Sequence, residues 1–406
     1  MRICLLCNRG NMYCGGQGVY LYYLSRELKR LGHEVDVIVG PPYPNVAEGI
    51  AEHRLENLNF FEFGFPKQDP FRAFTLLNLY DLAGTRLGMF TEMCSFSIRA
   101  YNKLRQLLRN RRFDIIHDNQ TLGYGILLMK AFEVPIVATV HHPLPIDRKT
   151  DIAYIDRAWE RFGRIMFYPF VMQHLVTKRM DRVITVSESA AEETRNTFKV
   201  PRSKIRVVHN GIDTNMFRSL DGETRERGRL IIVANTVDRK KGVIYLLRAL
   251  QLLREEVDVK LTIVDRGAPE NQYTPALVRR LGLDSTVDFT GKVGLEELVR
   301  YYATAEVAVV PSLYEGFGLP AAEAMACGLP VVATTAGALS EVVEDGRSGI
   351  LVPPRDHYAL AGAIKRLLRD EPLRRAMGEE GKRRVESNFT WEEAARKTLE
   401  VYREVL

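Results

Sequence analysis

The stretch Tyr314–Ala333 reads YEGFGLPAAEAMACGLPVVA and consists almost entirely of small and apolar residues. It follows the apolar run EVAVVPS. Pro320 suits the first turn of a helix, and Gly328 ends that helix before the next apolar run, LPVVA. The sequence therefore predicts a strand, a loop, a short helix and a second strand. Two acids, Glu315 and Glu323, lie in this stretch, and nothing within it pairs with either of them.

The same alternation of apolar and amphipathic runs fills most of the chain. Strands are predicted at MRICLLC, HEVDVIVG, RRFDIIHD, VPIVATVHH, DRVITVSES and KIRVVHNGID, and again at RLIIVANTV, VKLTIVD, STVDFTG and EVAVVPS. Helical patterns separate most of them, which is typical of parallel βαβ units and a doubly wound sheet. Because 406 residues are too many for one core, we expect an α/β chain of two such domains, with a junction near residue 216.

Composition narrows the class of protein. Hydrophobic residues make up 46% of the chain and charged residues 27%, as in ordinary soluble proteins. No apolar run approaches the roughly 20 residues that span a bilayer, and MRICLLCNRG is interpreted as a first strand rather than a signal peptide. The five cysteines show no paired framework, so we interpret them as thiols in a reducing, cytoplasmic protein.

Positive charge is concentrated in the first half of the chain. Residues 1–215 hold 29 Lys and Arg against 22 Asp and Glu, whereas the remainder holds 28 against 29. This excess fits an anionic partner such as phosphate or a membrane surface, or an ordinary solvated surface. Residues 60–112, rich in Phe, Leu, Met and Arg, break the alternation. They are either core packing with a long connection or a lip that binds acceptor or touches a membrane.

Two features of the first half mark the carboxyl ends of predicted strands. Gly15, Gly16 and Gly18 lie between a strand and a helix, where glycine lets backbone N–H groups approach a phosphate or simply permits a tight turn. His141 and His142 end the strand VPIVATV. A histidine at this position can exchange a hydrogen bond with a substrate hydroxyl, and the alternative is a polar loop residue.

Two features of the second half carry charge at helix starts. The loop Asp238–Gly242 places cations where the helix dipole disfavours them, which a bound anion or simple solvation would explain. Glu315 is predicted in the loop after a strand, and Glu323 in the early part of the next helix. Carboxylates accept hydrogen bonds from sugar hydroxyls, so a nucleotide-sugar with a sugar at each end suits them. On this interpretation neither acid needs a protein partner; the alternative is that Glu315 is solvated and Glu323 caps N–H groups.

Nearly the whole chain resembles the family 4 retaining glycosyltransferases of GT-B fold. The matching segments are GGQGVYLYYLSRELKRLGHEVDVIV, DIIHDN, VPIVATVHH, DRVITVSES, KIRVVHNGIDTNMF, RKKGVIYLLRAL, VDFTGKV and PSLYEGFGLPAAEAMACGLPVVAT. The last contains the family's two glutamates separated by seven residues. The resemblance implies two facing Rossmann-like domains with a cleft between them. It places acceptor binding in residues 1–215, completed by a C-terminal helix at 388–406, and donor binding in residues 216–387.

The resemblance also implies roles for single residues. Gly15 and Gly16 would lie against the donor diphosphate or the reacting sugar, and His141 near the transferred sugar. Glu315 would hold hydroxyls of the transferred sugar, and Glu323 the nucleotide ribose. The remaining donor contacts would come from Lys241, with Arg239 as a substitute cation, from the backbone of Val293, and from the backbone N–H groups of Phe317, Gly318 and Leu319.

Two departures from the family pattern stand in the donor half. The family usually has Gly-Arg where this chain has Asn235–Thr236, so a phosphate-binding arginine is missing. The family's Gly-Asp-Gly after the next strand reads Asp265–Arg266–Gly267 here.

The reaction that the resemblance implies is transfer of a sugar, with retention, from a nucleotide-diphosphate sugar to an acceptor hydroxyl. It would serve glycolipid, polysaccharide or other cell-envelope glycan synthesis, with no cofactor and no essential metal. A lipid-linked acceptor and peripheral contact with the cytoplasmic membrane face follow as expectations. The alternatives are a nucleotide-sugar epimerase and a transferase for a small soluble acceptor. No nucleic-acid recognition motif is present.

Overall fold

The computed structural model describes residues 1–10, 16–58, 71, 74–87, 89–144, 158, 161–162, 169–220, 222–265 and 273–406. These residues form two compact units. The N-terminal unit comprises Met1–Val208 with Ala395–Leu406, and the C-terminal unit comprises His209–Ala394. The sequence places the same two boundaries at 215/216 and 387/388.

The N-terminal unit contains a parallel sheet of seven strands in the order β3-β2-β1-β4-β5-β6-β7. The strands are β1 (Arg2–Cys7), β2 (Glu34–Val39), β3 (Ala51–Arg54), β4 (Ile115–Asn119), β5 (Ile136–Val140), β6 (Arg182–Thr185) and β7 (Ile205–Val207). The described helices are α1 (Gln17–Arg30), α2 (Leu76–Arg86), α3 (Glu92–Leu107), α4 (Tyr124–Met129), α5 (Phe170–Arg179) and α6 (Glu188–Phe198).

The C-terminal unit contains a parallel sheet of six strands in the order β10-β9-β8-β11-β12-β13. The strands are β8 (Arg229–Ala234), β9 (Lys260–Asp265), β10 (Val287–Phe289), β11 (Val307–Val310), β12 (Val331–Thr334) and β13 (Gly349–Val352). The helices are α7 (Val243–Leu253), α8 (Tyr273–Arg280), α9 (Leu295–Thr304), α10 (Leu319–Ala326), α11 (Leu339–Val342), α12 (His357–Arg369), α13 (Glu371–Asn388) and α14 (Trp391–Arg403).

The predicted α/β fold with two doubly wound sheets is confirmed. The apolar runs become central strands because both faces of a parallel sheet are covered by helices, and β4, β5 and β11 are buried along their whole length. The sequence missed β3, whose residues AEHR contain no apolar run because β3 lies at the sheet edge and pairs with β2 alone. In residues 60–112, α2 and α3 are helical, while 60–70, 72–73 and 88 lie outside the described residues.

The strand order fixes where each unit can hold a ligand. In the N-terminal unit, β2 and β3 are added on one side of β1, and the strands from β4 onward are added on its other side. In the C-terminal unit, the strand order reverses in the same way between β8 and β11. Loops that follow the two strands at such a switch point run to opposite sides of the sheet and leave a crevice at the strands' carboxyl ends. Each unit therefore offers one crevice, between β1 and β4 or between β8 and β11.

The C-terminal helix completes the N-terminal unit through a buried tyrosine. Tyr402 of α14 is fully buried, and its hydroxyl lies 2.5 Å from Nδ1 of His117 on β4. Nε2 of His117 lies 2.7 Å from the hydroxyl of Thr139 on β5, so both ring nitrogens have partners. Burial lowers the pKa of His117 to about 3, so the ring is neutral at physiological pH.

Tyr402→Phe should destabilise the N-terminal unit. The change leaves His117 Nδ1 buried without a partner, and such a loss costs about 1–3 kcal/mol of unfolding free energy. Urea titration followed by circular dichroism measures the loss. The control is Tyr358→Phe on α12, because Tyr358 is 68% exposed and its hydroxyl remains solvated. Equal stability of the two variants would show that the Tyr402 hydroxyl contributes nothing.

Candidate active site

A cationic turn follows β8 in the C-terminal unit and is held against the end of β11. Residues Arg239–Lys241 form a single 3₁₀ turn, and Gly242 follows with φ 65°. A Cβ atom at Gly242 would lie 1.9 Å from the carbonyl oxygen of Pro311, so glycine is required at this approach. The N–H of Leu313 donates to the carbonyl of Lys240 at 2.6 Å. The two loops of the crevice are thus bound to each other.

Glu315 has protein partners, so the expectation that it needs none is wrong. Its side chain is 8% exposed. Oε1 accepts a hydrogen bond from Lys241 Nζ at 2.8 Å and another from Ser312 Oγ at 2.7 Å. A buried carboxylate requires such compensation, because an isolated charge in the interior is costly. Among the described residues, Oε2 accepts no hydrogen bond.

The loop after Glu315 presents backbone donors at the start of α10. Gly318 has φ 98°, and a Cβ there would lie 2.8 Å from Leu339 Cδ2. Within the described part of the chain, the N–H groups of Gly318 and Leu319 donate to no protein acceptor, and Pro320 has no N–H. A helix N-terminus carries about half a positive charge. This end of α10 is therefore suited to an anion. The resemblance implies backbone N–H contacts from Phe317, Gly318 and Leu319 at this position.

Glu323 also has a protein partner, contrary to the same expectation. It is 6% exposed, and its Oε2 accepts a hydrogen bond from the hydroxyl of Tyr302 at 3.1 Å. Tyr302 lies on α9 and is almost completely buried. Tyr302 is not among the predicted site residues, because in a sequence an aromatic residue on the apolar face of a helix is indistinguishable from a core residue.

Arg239, Val293 and Thr236, which the sequence singles out, lie after β8 or β10 in the same unit. The guanidinium of Arg239 lies over the ring of Tyr273, 5.5 Å from its centroid, and the Arg239 side chain is exposed. Val293 is half-buried in the loop between β10 and α9. Thr236, after β8, donates hydrogen bonds from its N–H and its hydroxyl to the carboxylate of Asp265 at the end of β9.

In the N-terminal unit, Gly16 lies between β1 and α1, and His141 lies at the carboxyl end of β5. Gly16 has φ 72° and immediately precedes α1. Gly15 lies outside the described residues. His141 directly follows β5 and is 9% exposed, whereas His142 is more exposed.

His141 is held from three directions. Its Nε2 lies 2.7 Å from Oδ1 of Asn119, its backbone N–H donates to Oε1 of Gln120 at 2.6 Å, and its ring meets the Tyr20 ring edge-on with centroids 4.9 Å apart. Burial lowers the pKa of His141 to about 3, so the ring is neutral. Asn119 and Gln120 are not among the predicted site residues, although a polar run at the end of a buried strand is a sequence signal for such positions.

Both units match models of known families. The model described as "Glycosyltransferase Family 4" matches residues 14–216, and that described as "Glycosyl transferases group 1" matches residues 220–384. An MMP alpha-(1->4)-mannosyltransferase from Mycolicibacterium hassiacum is 40% identical over 100% of this chain and 98% of its own length. A D-inositol 3-phosphate glycosyltransferase from a Nocardioides species is 29% identical over 96% of this chain and 85% of its own.

Solved structures show the same fold. Sucrose-phosphate synthase from Thermosynechococcus elongatus superimposes with a TM-score of 0.75 at 25% identity, covering 100% of this chain and 99% of that one. Anabaena HepE, in complex with UDP and glucose, gives a TM-score of 0.73 at 18% identity and covers 100% of both chains.

The two Rossmann-like units, the paired glutamates of the α10 region and the match to these proteins over the full length agree with one another. The chain is a glycosyltransferase of GT-B fold and belongs to glycosyltransferase family 4.

Proposed function

We propose that this protein transfers an α-mannosyl group, with retention, from a nucleotide-diphosphate mannose to an acceptor hydroxyl. The observation that carries the proposal is the Glu315 carboxylate, fixed by Lys241 beside the free N–H groups of α10. The identity of the sugar rests on the mannosyltransferase that is 40% identical to this chain. None of the relatives named above is an epimerase.

In the C-terminal crevice, Lys241 and backbone N–H groups suit the diphosphate of such a donor, and the two carboxylates suit its hydroxyls. The Lys241 ammonium has three N–H donors and uses one on Glu315, so two remain for a diphosphate. The N–H groups of Gly318 and Leu319 add donors for the same anion. Oε2 of Glu315 accepts from hydroxyls of the transferred sugar, and Glu323, one turn along α10, accepts from the ribose.

The proposed reaction needs no metal. The acceptor hydroxyl attacks the anomeric carbon on the face from which the nucleoside diphosphate leaves, and the leaving phosphate oxygen takes the acceptor's proton. Lys241 and the N–H groups at the start of α10 stabilise the negative charge that develops on the leaving diphosphate. Arg239, on the same turn as Lys241, supplies a second cation in place of the missing arginine at Thr236.

Turnover of defined donors tests this function. Purified protein is given UDP-, GDP- and ADP-linked mannose and glucose, and release of nucleoside diphosphate is measured. We expect the fastest release from a mannosyl donor. Glu315→Gln should keep the fold and lower that rate at least about tenfold, because Gln loses the charge that orients Lys241. Glu379→Gln, a largely exposed residue of α13, is the control. Faster turnover of a glucosyl donor would contradict the mannose assignment, and near-normal turnover by Glu315→Gln would remove Glu315 from the mechanism.

Glu323→Ala should weaken donor binding more than it slows transfer. The expected ribose contact is made equally in the ground state and the transition state, so its loss raises KM with little change in kcat. Calorimetry with the free nucleoside diphosphate should show about tenfold weaker binding. Tyr302→Phe, which removes the hydroxyl 3.1 Å from Glu323 and keeps the carboxylate, should have a smaller effect. Unchanged affinity in Glu323→Ala would exclude the ribose contact.

We further propose that the acceptor is lipid-linked and reaches the enzyme at the cytoplasmic face of a membrane. Three neighbouring helices of the N-terminal unit expose large apolar side chains. Leu76 of α2 is 88% exposed, Leu128 of α4 is 50% exposed and Val171 of α5 is 59% exposed. None of the described helices is both long and apolar enough to cross a membrane, so contact would be peripheral. The further exposed members of this apolar surface are Leu79, Tyr80, Tyr124, Phe170 and Leu175.

The cations beside this apolar surface favour contact with an anionic membrane. Arg86 ends α2, and Lys178 and Arg179 end α5. The only acid of the three described helices, Asp81, is buried and paired with Arg99. Exposed apolar side chains flanked by cations are typical of proteins that bind the interface of anionic lipids.

Vesicle sedimentation tests the membrane proposal. The protein should bind phosphatidylglycerol vesicles and not phosphatidylcholine vesicles. Leu76→Glu together with Val171→Glu should lower the bound fraction at least about threefold, because charge at an apolar contact opposes burial. Tyr358→Glu on α12, where the side chain is 68% exposed, is the control. If wild-type protein stays in the supernatant with anionic vesicles, the proposed membrane contact is wrong.

A further inference from the structure

The segment after β4 is strained. Gln120 has φ 57° and Leu122 has φ 49°, although neither is glycine. A left-handed backbone at a non-glycine residue is strained and persists only where surrounding contacts hold it. The segment lies at the carboxyl end of β4, beside the crevice between β1 and β4. A strained, buried and polar segment at this position points to a role in the site.

Gln120 binds the backbone that carries His141. Its Oε1 accepts from the N–H of His141 at 2.6 Å and faces the N–H of His142 at 3.3 Å. Its Nε2 donates to the carbonyl of His142 at 2.7 Å. The Gln120 side-chain amide thus forms hydrogen bonds with the backbone after β5, as a neighbouring strand would. The left-handed backbone conformation at Gln120 directs its side chain toward that backbone.

The Asn119 amide has one orientation, set by its partners. Nδ2 donates to the carbonyl of Gln17 at 3.0 Å and lies 3.4 Å from Cys7 Sγ. Because the carbonyl of Gln17 can only accept, the NH₂ group must face it and Oδ1 must face His141. Oδ1 has no proton to give, so Nε2 of His141, at 2.7 Å, carries the proton.

The same contact determines the protonation of Nδ1, the other ring nitrogen of His141. The buried ring is neutral, since burial lowers its pKa to about 3. A neutral imidazole holds one proton, so Nδ1 carries a lone pair and acts only as an acceptor. A substrate group that meets Nδ1 must therefore be a hydrogen-bond donor, such as a sugar hydroxyl.

We propose that Asn119 and Gln120 are positioning residues that fix the tautomer and place of His141, so that its Nδ1 accepts a hydrogen bond from a hydroxyl of the transferred sugar. This inference rests on the proposed function, since it assumes that a sugar hydroxyl meets His141. Asn119 also joins the end of β1 and the start of α1 to His141 through one amide group.

The tautomer is measured without substrate. Protein with ¹⁵N-labelled histidine rings is examined by NMR, and the His141 signals among the eight histidines are assigned with His141→Asn. We expect a protonated Nε2 and an unprotonated Nδ1 in the wild type. Asn119→Leu should give a mixture of tautomers. An unprotonated Nε2 in the wild type would overturn the inference, whatever the donor assays show.

Kinetics tests whether the tautomer matters for transfer. Asn119→Leu should lower kcat/KM for the donor at least about tenfold, the loss of about one hydrogen bond. In the His141→Asn background, where no tautomer exists to be fixed, the same change should cost less than about threefold. Asn110→Leu, an exposed asparagine of the same unit, is the control.

Equal losses from Asn119→Leu in the two backgrounds would show that Asn119 only supports packing. These outcomes are separable from failure of the proposed function. A protein that turns over no mannosyl or glucosyl donor contradicts the function, whereas the NMR result for His141 stands independently.

Discussion

The C-terminal unit is organised around the need to compensate one buried carboxylate. Glu315 is 8% exposed and would be unstable there as an isolated charge. Lys241 supplies the compensation at 2.8 Å, which requires the turn after β8 to meet the loop after β11. That approach requires a glycine at 242, where any Cβ would collide with the carbonyl of Pro311. The Lys241–Glu315 ion pair, Gly242 and the crevice between β8 and β11 therefore depend on one another. The Lys241 charge is also available to a second anion in this crevice.

The N-terminal unit differs in its electrostatics, because its central group, the His141 ring, is neutral. His141 is too buried to hold a proton on both ring nitrogens, so its chemistry depends on which nitrogen keeps the single proton. Asn119 decides this through an amide whose own orientation is set by the Gln17 carbonyl. The charged groups of the C-terminal crevice suit the phosphates of a donor and the hydroxyls that its carboxylates would bind. The neutral Nδ1 of His141, which can only accept a hydrogen bond, suits a hydroxyl. Each unit has the electrostatics for a different part of the substrate.

The sequence predicts the fold well because the strands of parallel sheets are buried on both faces and so form apolar runs, as at β5 and β11. It misses β3 for the same reason, since an edge strand of AEHR has no such run. The acids Glu315 and Glu323 are visible in an apolar stretch, but their partners are not. Lys241 lies 74 residues from Glu315, and Tyr302 lies 21 residues from Glu323. Local patterns carry no information about pairs at such separations, so sequence reasoning wrongly left both acids without partners.

The two departures from the family pattern show what the sheet adds to a sequence comparison. Thr236 and Asp265 are 29 residues apart and look like unrelated changes. In the structure they follow neighbouring strands, β8 and β9, and Thr236 donates to Asp265 from both its N–H and its hydroxyl. A carboxylate near the proposed diphosphate site would repel the donor, and these two hydrogen bonds hold it toward the protein instead. The Asp265 carboxylate is thus bound by the residue that stands where the family usually has arginine. Under the proposed function, the positive charge for the diphosphate comes from Lys241 and Arg239, farther along the same loop after β8, and from the partial positive charge at the N-terminus of α10.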